Sequence, residues 1–281
     1  MLRRPFTEEP VSKLAVWSGR LGWFALAVAV LSVVVVRSGV LEIGPALATF
    51  AAALVFAALA ILLAFAAFVS IWRQGCPGLG RAVLGLFLGL ALLAYPAFLG
   101  YRAWKLPAIY DVTTDTSNPP RFDALADARP PGLNTYHAAF AALQRAAYPN
   151  IGPLQYDAPP KLVFDLTLGL INKRKWRIAE ARPPGAGRRD AVIEAATRSL
   201  IMGFPDDVVI RITPLGAGSR VDVRSASRHP WPDLGANASR VQGLLDDIDD
   251  AVGSTPEPRR QPEPPPPKAA PAPKRPAEKR R

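Results

Sequence analysis

Residue types of a hydrolytic triad lie close together in the second half of the chain. Ser225 and Ser227 are followed by His229 and Asp233. A serine activated by a histidine, which a carboxylate orients, is the arrangement that many hydrolases use. The local sequence argues against it, because prolines restrain the backbone between His229 and Asp233 and no G-x-S-x-G motif surrounds either serine. We therefore predict that the chain is not an enzyme, with a membrane-bound hydrolase acting on an envelope substrate as the alternative.

Arginines are the second set of residues that could form a site. Alternation along the predicted strands places them on one face of a sheet, beside Glu194 and Asp222. Their forked donors suit a carboxylate or a phosphate. The helix that begins near Asp233 exposes unpaired amides at its N-terminus. The predicted ligand-binding residues are Arg198, Arg211, Arg224, Arg228, Asp233 and Asn237.

Two other roles for this arginine-rich face stay open. It is either a solvated surface with ion pairs across strands, each worth at most about 1 kcal/mol, or it ties the sheet to the last helix. In the second case Arg224 or Arg228 pairs with one of the carboxylates Asp206, Asp207 and Asp233. Such a pair is costly to break only if it is buried.

Metal and cofactor chemistry have no support in the sequence. The chain has one cysteine, Cys76, and two histidines, too few for the common metal sites. It has no phosphate loop, no dinucleotide glycine motif and no H-E-x-x-H. We predict neither a metal nor a cofactor.

The net charge of +11 does not indicate specific nucleic-acid binding. Residues 105–252 carry 18 Lys and Arg against 17 Asp and Glu, so this part is almost neutral. The excess lies in residues 1–104 and 253–281, where it can meet anionic lipid headgroups.

Three apolar segments precede the residues discussed so far. Residues 46–72 contain no charge over 27 positions, about 40 Å of helix, enough to cross a bilayer core of about 30 Å. With similar segments at about 14–36 and 82–104, residues 1–104 form a predicted membrane anchor of three transmembrane helices. Small residues recur on two of the helices, which permits close packing but does not decide the oligomeric state.

The charges of the short loops predict the orientation of the anchor. One side holds Arg3, Arg4, Lys13, Arg20, Arg73 and Arg81, and the other holds Arg37, Arg102 and Lys105. Because translocating positive charge is disfavoured, the N-terminus is expected in the cytoplasm. We predict a multi-pass protein of the bacterial inner membrane whose soluble domain lies in the periplasm, with the bilayer and either an envelope protein or an anionic small molecule as partners.

Residues 105–252 are predicted to form a soluble α+β domain. Helices are expected at about 135–147, at 161–173 and from about 233 or 235 to 252. The four predicted strands are 176–181, 191–201, 207–213 and 220–227, which indicates an antiparallel meander of about four strands covered by helices. Residues 253–281 are rich in Pro and in charge and are predicted to be disordered.

Three short sequence motifs in this domain resemble those of a known family. They begin at Phe204 (F-P-D-D-V), at Val223 (V-R-S-A-S-R) and at Asp233 (D-L-G-A-N). In this order they resemble the bacterial and plant family known as domain of unknown function 1499, over about residues 109–252. The resemblance implies no activity, but similar members often carry the domain after a few membrane spans. The chain departs from the family at residues 229–232, H-P-W-P, where relatives tend to have a turn with Gly and Ser.

Overall fold

A computed structural model describes residues 10–39, 43–185 and 190–255. The disorder predicted for residues 253–281 falls, beyond Thr255, outside the described residues. Three helices near the N-terminus, α1 (Lys13–Ser38), α2 (Ile43–Gln74) and α3 (Leu79–Lys105), are each long and apolar enough to span a bilayer. The prediction of three transmembrane-length helices is confirmed, and the chain is a membrane protein.

Small residues hold these three helices together. The alanine stripe of α2 is fully buried: Ala53, Ala57, Ala60, Ala64 and Ala67. In α3, a Cβ on Gly85 would lie 2.6 Å from the carbonyl carbon of Ser18 in α1, and one on Gly89 would lie 2.5 Å from Ile61 in α2. The Ser18 hydroxyl also donates a hydrogen bond of 2.8 Å to the Ala60 carbonyl. The small residues therefore serve close packing within one chain.

The domain after the anchor contains an antiparallel sheet of six strands. They are β1 (Asp111–Thr113), β2 (Leu154–Tyr156), β3 (Arg177–Arg182), β4 (Ala191–Arg198), β5 (Pro205–Leu215) and β6 (Gly218–Ser227). The strand order is β1-β6-β5-β4-β3, and β2 also pairs with β6. The meander β3 to β6 was predicted. The sheet is larger than the predicted four strands because β1 and β2 add to the free edge of β6.

Helices cover one face of the sheet. They are α4 (Phe140–Ala147), α5 (Pro160–Lys173) and α6 (Ala236–Gly253), of which α5 and α6 pack on the sheet. Apolar residues alternate along the strands, so one side of each strand faces these helices. The core that results contains Ile193, Ala195, Val208, Ile210, Ile212, Val221 and Val223, all fully buried.

The opposite face of the sheet is covered as well. The connector between β1 and α4, residues 114–139, runs back across it, and its Phe122 and Leu125 pack on Val209 and Ala226 in a second apolar cluster. Of the roles that the sequence left open for this face, a solvated surface does not describe the centre of it, where Arg224 and Glu194 are buried. Aromatic and aliphatic side chains of a Pro-rich connector exclude water from the arginine-rich face, which the alternation within the strands did not indicate.

Candidate functional site

Arg224 lies at the centre of the covered face. Its side chain is 1% exposed and forms two hydrogen bonds with Asp111 of β1, Nε to Oδ1 at 3.0 Å and a terminal nitrogen to Oδ2 at 2.7 Å. Its other donors reach the carbonyls of Pro120 and Asn134, each at 3.0 Å. The guanidinium carbon also lies 4.8 Å from the ring centroid of Phe122. All of these contacts are internal, so Arg224 fixes the connector to the sheet.

Arg228 also has an internal partner, Asp207 of β5. Its Nε lies 2.9 Å from Oδ2 of Asp207 and a terminal nitrogen lies 2.8 Å from Oδ1. The buried Arg129 of the connector shares the same carboxylate at 2.6 Å. The sequence alternatives included pairing between Arg228 and Asp207, and the structure contains this pair.

Arg211 belongs to a third internal group. It donates to Asp222 of β6 and to the Asn118 carbonyl, both at 3.0 Å, and Arg220 contacts Asp222 as well. The carboxylate of Asp115 lies between these two arginines, 3.8 Å and 2.9 Å from their terminal nitrogens. These charges neutralise one another where the connector crosses the sheet.

Glu194 shows most directly that this face is structural. It is fully buried, and its two carboxylate oxygens accept the backbone N–H groups of Asp123, Ala124 and Leu125 at 2.8 to 3.2 Å. Hydrogen bonds from backbone N–H groups stabilise a carboxylate. The connector therefore binds a carboxylate of the same domain, whereas the sequence predicted that this face binds the carboxylate or phosphate of a ligand.

The other three predicted residues lie away from this cluster. Arg198 is exposed, at the end of β4, and donates to the Arg37 carbonyl of α1 at 3.3 Å. Asp233 accepts the backbone N–H groups of Gly235 at 2.9 Å and Asn237 at 2.7 Å, so it caps α6 and occupies donors that an anion would need. Burial raises the pKa of this carboxyl group. The six residues do not converge on one point.

The serines of the possible triad belong to a hydrogen-bonded network around α6. Ser225 donates to the Asn237 side-chain oxygen at 2.7 Å, and Ser227 accepts from the Asn237 side-chain nitrogen at 3.0 Å. Arg240 contacts this network and pairs with Asp206 at 2.6 Å. Both serine hydroxyls therefore have partners other than a histidine.

A cavity of about 350 Å³ lies where the domain meets the membrane helices, and we refer to it as the junction cavity. Side chains of α2 and α3 line the membrane side: Leu47, Phe50, Leu54, Tyr95, Pro96, Leu99 and Arg102. Residues of the β4–β5 loop and of the segment between β6 and α6 line the domain side: Ser199, Ile201, Met202, Phe204, Asp206, Ser227, His229, Trp231, Pro232, Asp233, Leu234 and Ala236. Because it lies between an apolar anchor and a polar domain, it is a candidate site for an amphiphilic molecule.

The β4–β5 loop relates the junction cavity to the ends of the membrane-length helices. Arg37, in the last turn of α1, donates to the carbonyls of Leu200 at 2.7 Å and Ile201 at 3.2 Å. The loop therefore lies level with the end of a transmembrane helix. Leu54 is 11 positions after the start of α2, about 16 Å along its axis. The cavity thus begins at the domain and extends along the apolar side chains of α2 and α3.

His229 stands out among the residues that line the junction cavity. Its ring stacks on Trp231, with centroids 4.5 Å apart and planes inclined by 5°, and meets the edge of Phe204 at 5.2 Å. The residue is 6% exposed, and its Nε2 is buried without a hydrogen-bond partner among the described residues. Burial lowers the pKa of the imidazole, which favours its neutral form.

Sequence reasoning pointed to these residues only indirectly. The segment H-P-W-P at 229–232 was noted as a departure from the family, and it supplies His229, Trp231 and Pro232 to the junction cavity. The sequence assigns the apolar residues of α2 and α3 to transmembrane helices. No spacing in the sequence relates them to the loops of the domain, so the cavity was missed.

The chain has three transmembrane-length helices followed by an α+β domain. It is therefore a membrane-anchored α+β protein. Residues 111–248 match the family described as "Protein of unknown function (DUF1499)", which confirms the resemblance, and the soluble domain belongs to this family. None of the curated proteins matches the chain. Among solved structures, CalU16 from Micromonospora echinospora matches 36% of this chain and 74% of its own at 15% identity, with a TM-score of 0.24.

Proposed function

We propose that the protein is a membrane-anchored binding module that holds a small amphiphilic ligand in the junction cavity without transforming it. The observation that carries this proposal is the cavity itself, which has apolar walls from α2 and α3 and polar groups from the domain. Ligand sites are concave, mostly apolar and fitted with a few polar groups. The surrounding bilayer would supply amphiphiles at high local concentration.

The anion site expected on the sheet has less support. Arg211, Arg224 and Arg228 each pair with a carboxylate of the same domain. An anion would have to displace a buried internal partner to reach them, at the cost of leaving that carboxylate unpaired. The junction cavity requires no such displacement.

We further propose that the anchor lies in a bacterial inner membrane with the domain on the periplasmic side. The excess of Lys and Arg in the loops on the N-terminal side supports this orientation. The ligand would then enter from the periplasmic leaflet, and the domain could present it to an envelope protein.

Photo-crosslinking of the full chain in lipid nanodiscs tests the proposal. A single-chain lipid carrying a photoreactive group near its head should label α2, α3 and the β4–β5 loop. The variant Leu54→Trp fills the cavity and should reduce labelling at least about fivefold. Leu62→Trp is the matched control, because Leu62 is 63% exposed on the same helix and does not line the cavity. Equal labelling of both variants would refute a site in the cavity.

The same experiment distinguishes the hydrolase alternative. Mass spectrometry of the recovered probe would detect cleavage if the domain acted on its ligand. We expect the probe to be recovered intact, because Ser225 and Ser227 direct their hydroxyls into the network around Asn237. Turnover that is lost in a Ser227→Ala variant would favour the enzyme.

A further inference from the structure

The β4–β5 loop, residues 199–204, has an apolar and exposed tip. Its sequence is S-L-I-M-G-F, and Leu200 is 91% exposed. This exceeds the 63% exposure of Leu62, a residue of the membrane-length helix α2. Ile201 and Met202 follow Leu200 and are half-buried at the junction cavity. A single exposed leucine needs no explanation on a protein surface, so its position relative to the bilayer decides whether it has a partner.

The last turn of α1 holds this loop. Arg37 donates to the carbonyls of Leu200 at 2.7 Å and Ile201 at 3.2 Å. Arg198, the last residue of β4, donates to the Arg37 carbonyl at 3.3 Å. A Cβ on Gly203 would lie 3.2 Å from Cγ of Arg37, so the loop also packs on the aliphatic stem of this arginine. These contacts fix the loop against the end of the helix.

The length of the apolar part of α1 places Arg37 at the edge of the hydrocarbon. The uncharged stretch between Arg20 and Arg37 extends over about 24 Å, and the span counted from Leu14 extends over about 34 Å. The hydrocarbon core of a bilayer is about 30 Å thick, so Arg37 lies close to its boundary in either case. An arginine at that depth extends its charged end toward polar groups. Here these groups are carbonyls of the β4–β5 loop, so the loop lies at the level of the lipid headgroups.

The backbone of the loop suits the headgroup level and not a greater depth. Besides the two carbonyls bound by Arg37, those of Ser199 and Phe204 accept backbone N–H groups of the loop at 3.1 Å and 2.8 Å. The N–H groups of residues 200–202 have no acceptor in the described part of the chain. Unpaired backbone groups are not tolerated among acyl chains, whereas phosphate and water accept them at the headgroups. The backbone therefore stays with the headgroups, and a side chain alone can enter the acyl chains.

We propose that the β4–β5 loop docks the domain on the bilayer, with Leu200 inserted into the acyl chains of the leaflet on the domain side and Arg37 holding the loop at the headgroups. Insertion removes from water an apolar side chain that the fold leaves exposed. Arg37 and Arg198 are exposed and have carbonyls as hydrogen-bond acceptors, so their charges suit the phosphates of anionic lipids. Docking requires no ligand in the junction cavity, so this inference stands or fails independently of the proposed function.

Spin labels on the full chain in nanodiscs test the insertion. Each disc holds one protein chain in phosphatidylcholine and phosphatidylglycerol, and Cys76→Ser removes the native thiol. The label is attached through Leu200→Cys in the loop. The references are Val34→Cys, exposed near the end of α1, and Leu215→Cys, exposed at the opposite end of β5. The measurement is the ratio of the collision rates of the label with oxygen, which concentrates in lipid, and with a water-soluble nickel chelate.

The two references decide the outcome. We expect the ratio at Leu200 to lie close to that at Val34 and well above that at Leu215. A ratio closer to that at Leu215 would mean that the loop tip faces water and would overturn the proposal. Because each disc holds one chain, a loop that instead contacts a second copy or another protein would also give this water-like result.

Arg37→Gln tests how the loop is held. The variant removes the guanidinium that donates to the carbonyls of Leu200 and Ile201, so the ratio at Leu200 should fall toward that at Leu215. Arg20→Gln is the matched control, since it removes an exposed arginine at the other end of the same apolar stretch and should leave the ratio unchanged. The spectrum of the label at Leu215 should be the same in Arg37→Gln, as expected for a folded domain. If the ratio at Leu200 stays high in Arg37→Gln, the label enters the lipid without these contacts and the proposal is overturned.

Discussion

Replacing Arg224 by glutamine should destabilise the domain strongly without touching the junction cavity. The substitution removes both contacts to Asp111 and leaves that carboxylate, which is 1% exposed, without the partner with which it forms an ion pair. It also leaves the carbonyls of Pro120 and Asn134 without their Arg224 donor. The substitution therefore removes more than one ion pair, because the connector also loses one of its attachments to β6.

The structure sets the size of the effect. Breaking a buried ion pair by removing one partner costs about 3 to 5 kcal/mol. For a domain of this size each kcal/mol lowers the melting temperature by about 2 to 4 °C, so we expect a fall of roughly 6 to 20 °C. Arg198→Gln is the control, since Arg198 is exposed with one long hydrogen bond, and its effect should stay within about 0.5 kcal/mol.

Calorimetry of the full chain in detergent measures both variants. Adding Asp111→Asn to Arg224→Gln should recover part of the lost stability, because it removes the uncompensated charge, and the double variant should lose less than the sum of the two single losses. If Arg224→Gln melts within about 1 °C of the wild-type protein, the face is not held together by this pair and our interpretation of it is wrong.

Three further predictions concern the anchor, the topology and pH. Gly89→Ala should destabilise the anchor by about 1 to 3 kcal/mol, because its Cβ would collide with α2. Gly100→Ala is the control, since the space around Gly100 is open. Equal melting curves for the two variants would contradict the packing. A reporter that is active only in the periplasm should be active when fused after Val252 and inactive when fused at Gly78, and the reverse would overturn the orientation. The pKa of His229 is lower in the folded state than its unfolded value of about 6.5. Below about pH 6.5 the unfolded chain therefore binds a proton more readily than the folded protein, so the stability that is present above that pH is lost on acidification. The melting temperature of His229→Gln should therefore fall less between about pH 7 and 5 than that of the wild-type protein, and parallel curves would contradict this linkage.

Periodicity in the sequence predicted the elements that bury one apolar face. Ile210 and Ile212 alternate with polar residues in β5, and this spacing is enough to orient the strand against α5 and α6. The strands β1 and β2 were missed because each has three residues, too few for an alternating pattern to be recognised.

The role of the arginines could not be predicted, because their partners are distant in sequence. Asp111 lies 113 positions before Arg224, and Phe122 packs on the Arg224 guanidinium from a connector that resembles an exposed loop in composition. Local sequence patterns describe single elements, whereas this cluster depends on how the connector folds back over the sheet. The junction cavity was missed for the same reason, since its walls come from α2, α3 and two loops of the domain.

The short link between anchor and domain determines what the domain can meet. Residues 106–110 join α3 to β1, and within them the carbonyls of Ile109 and Tyr110 accept the backbone N–H groups of Asp233 and Ser227. The link is thus part of the fold and gives the domain no length of free chain on which to swing outward. Any partner must come to the membrane surface, and for a partner that is itself anchored in the membrane the encounter is a search in two dimensions, governed by lateral diffusion and surface density.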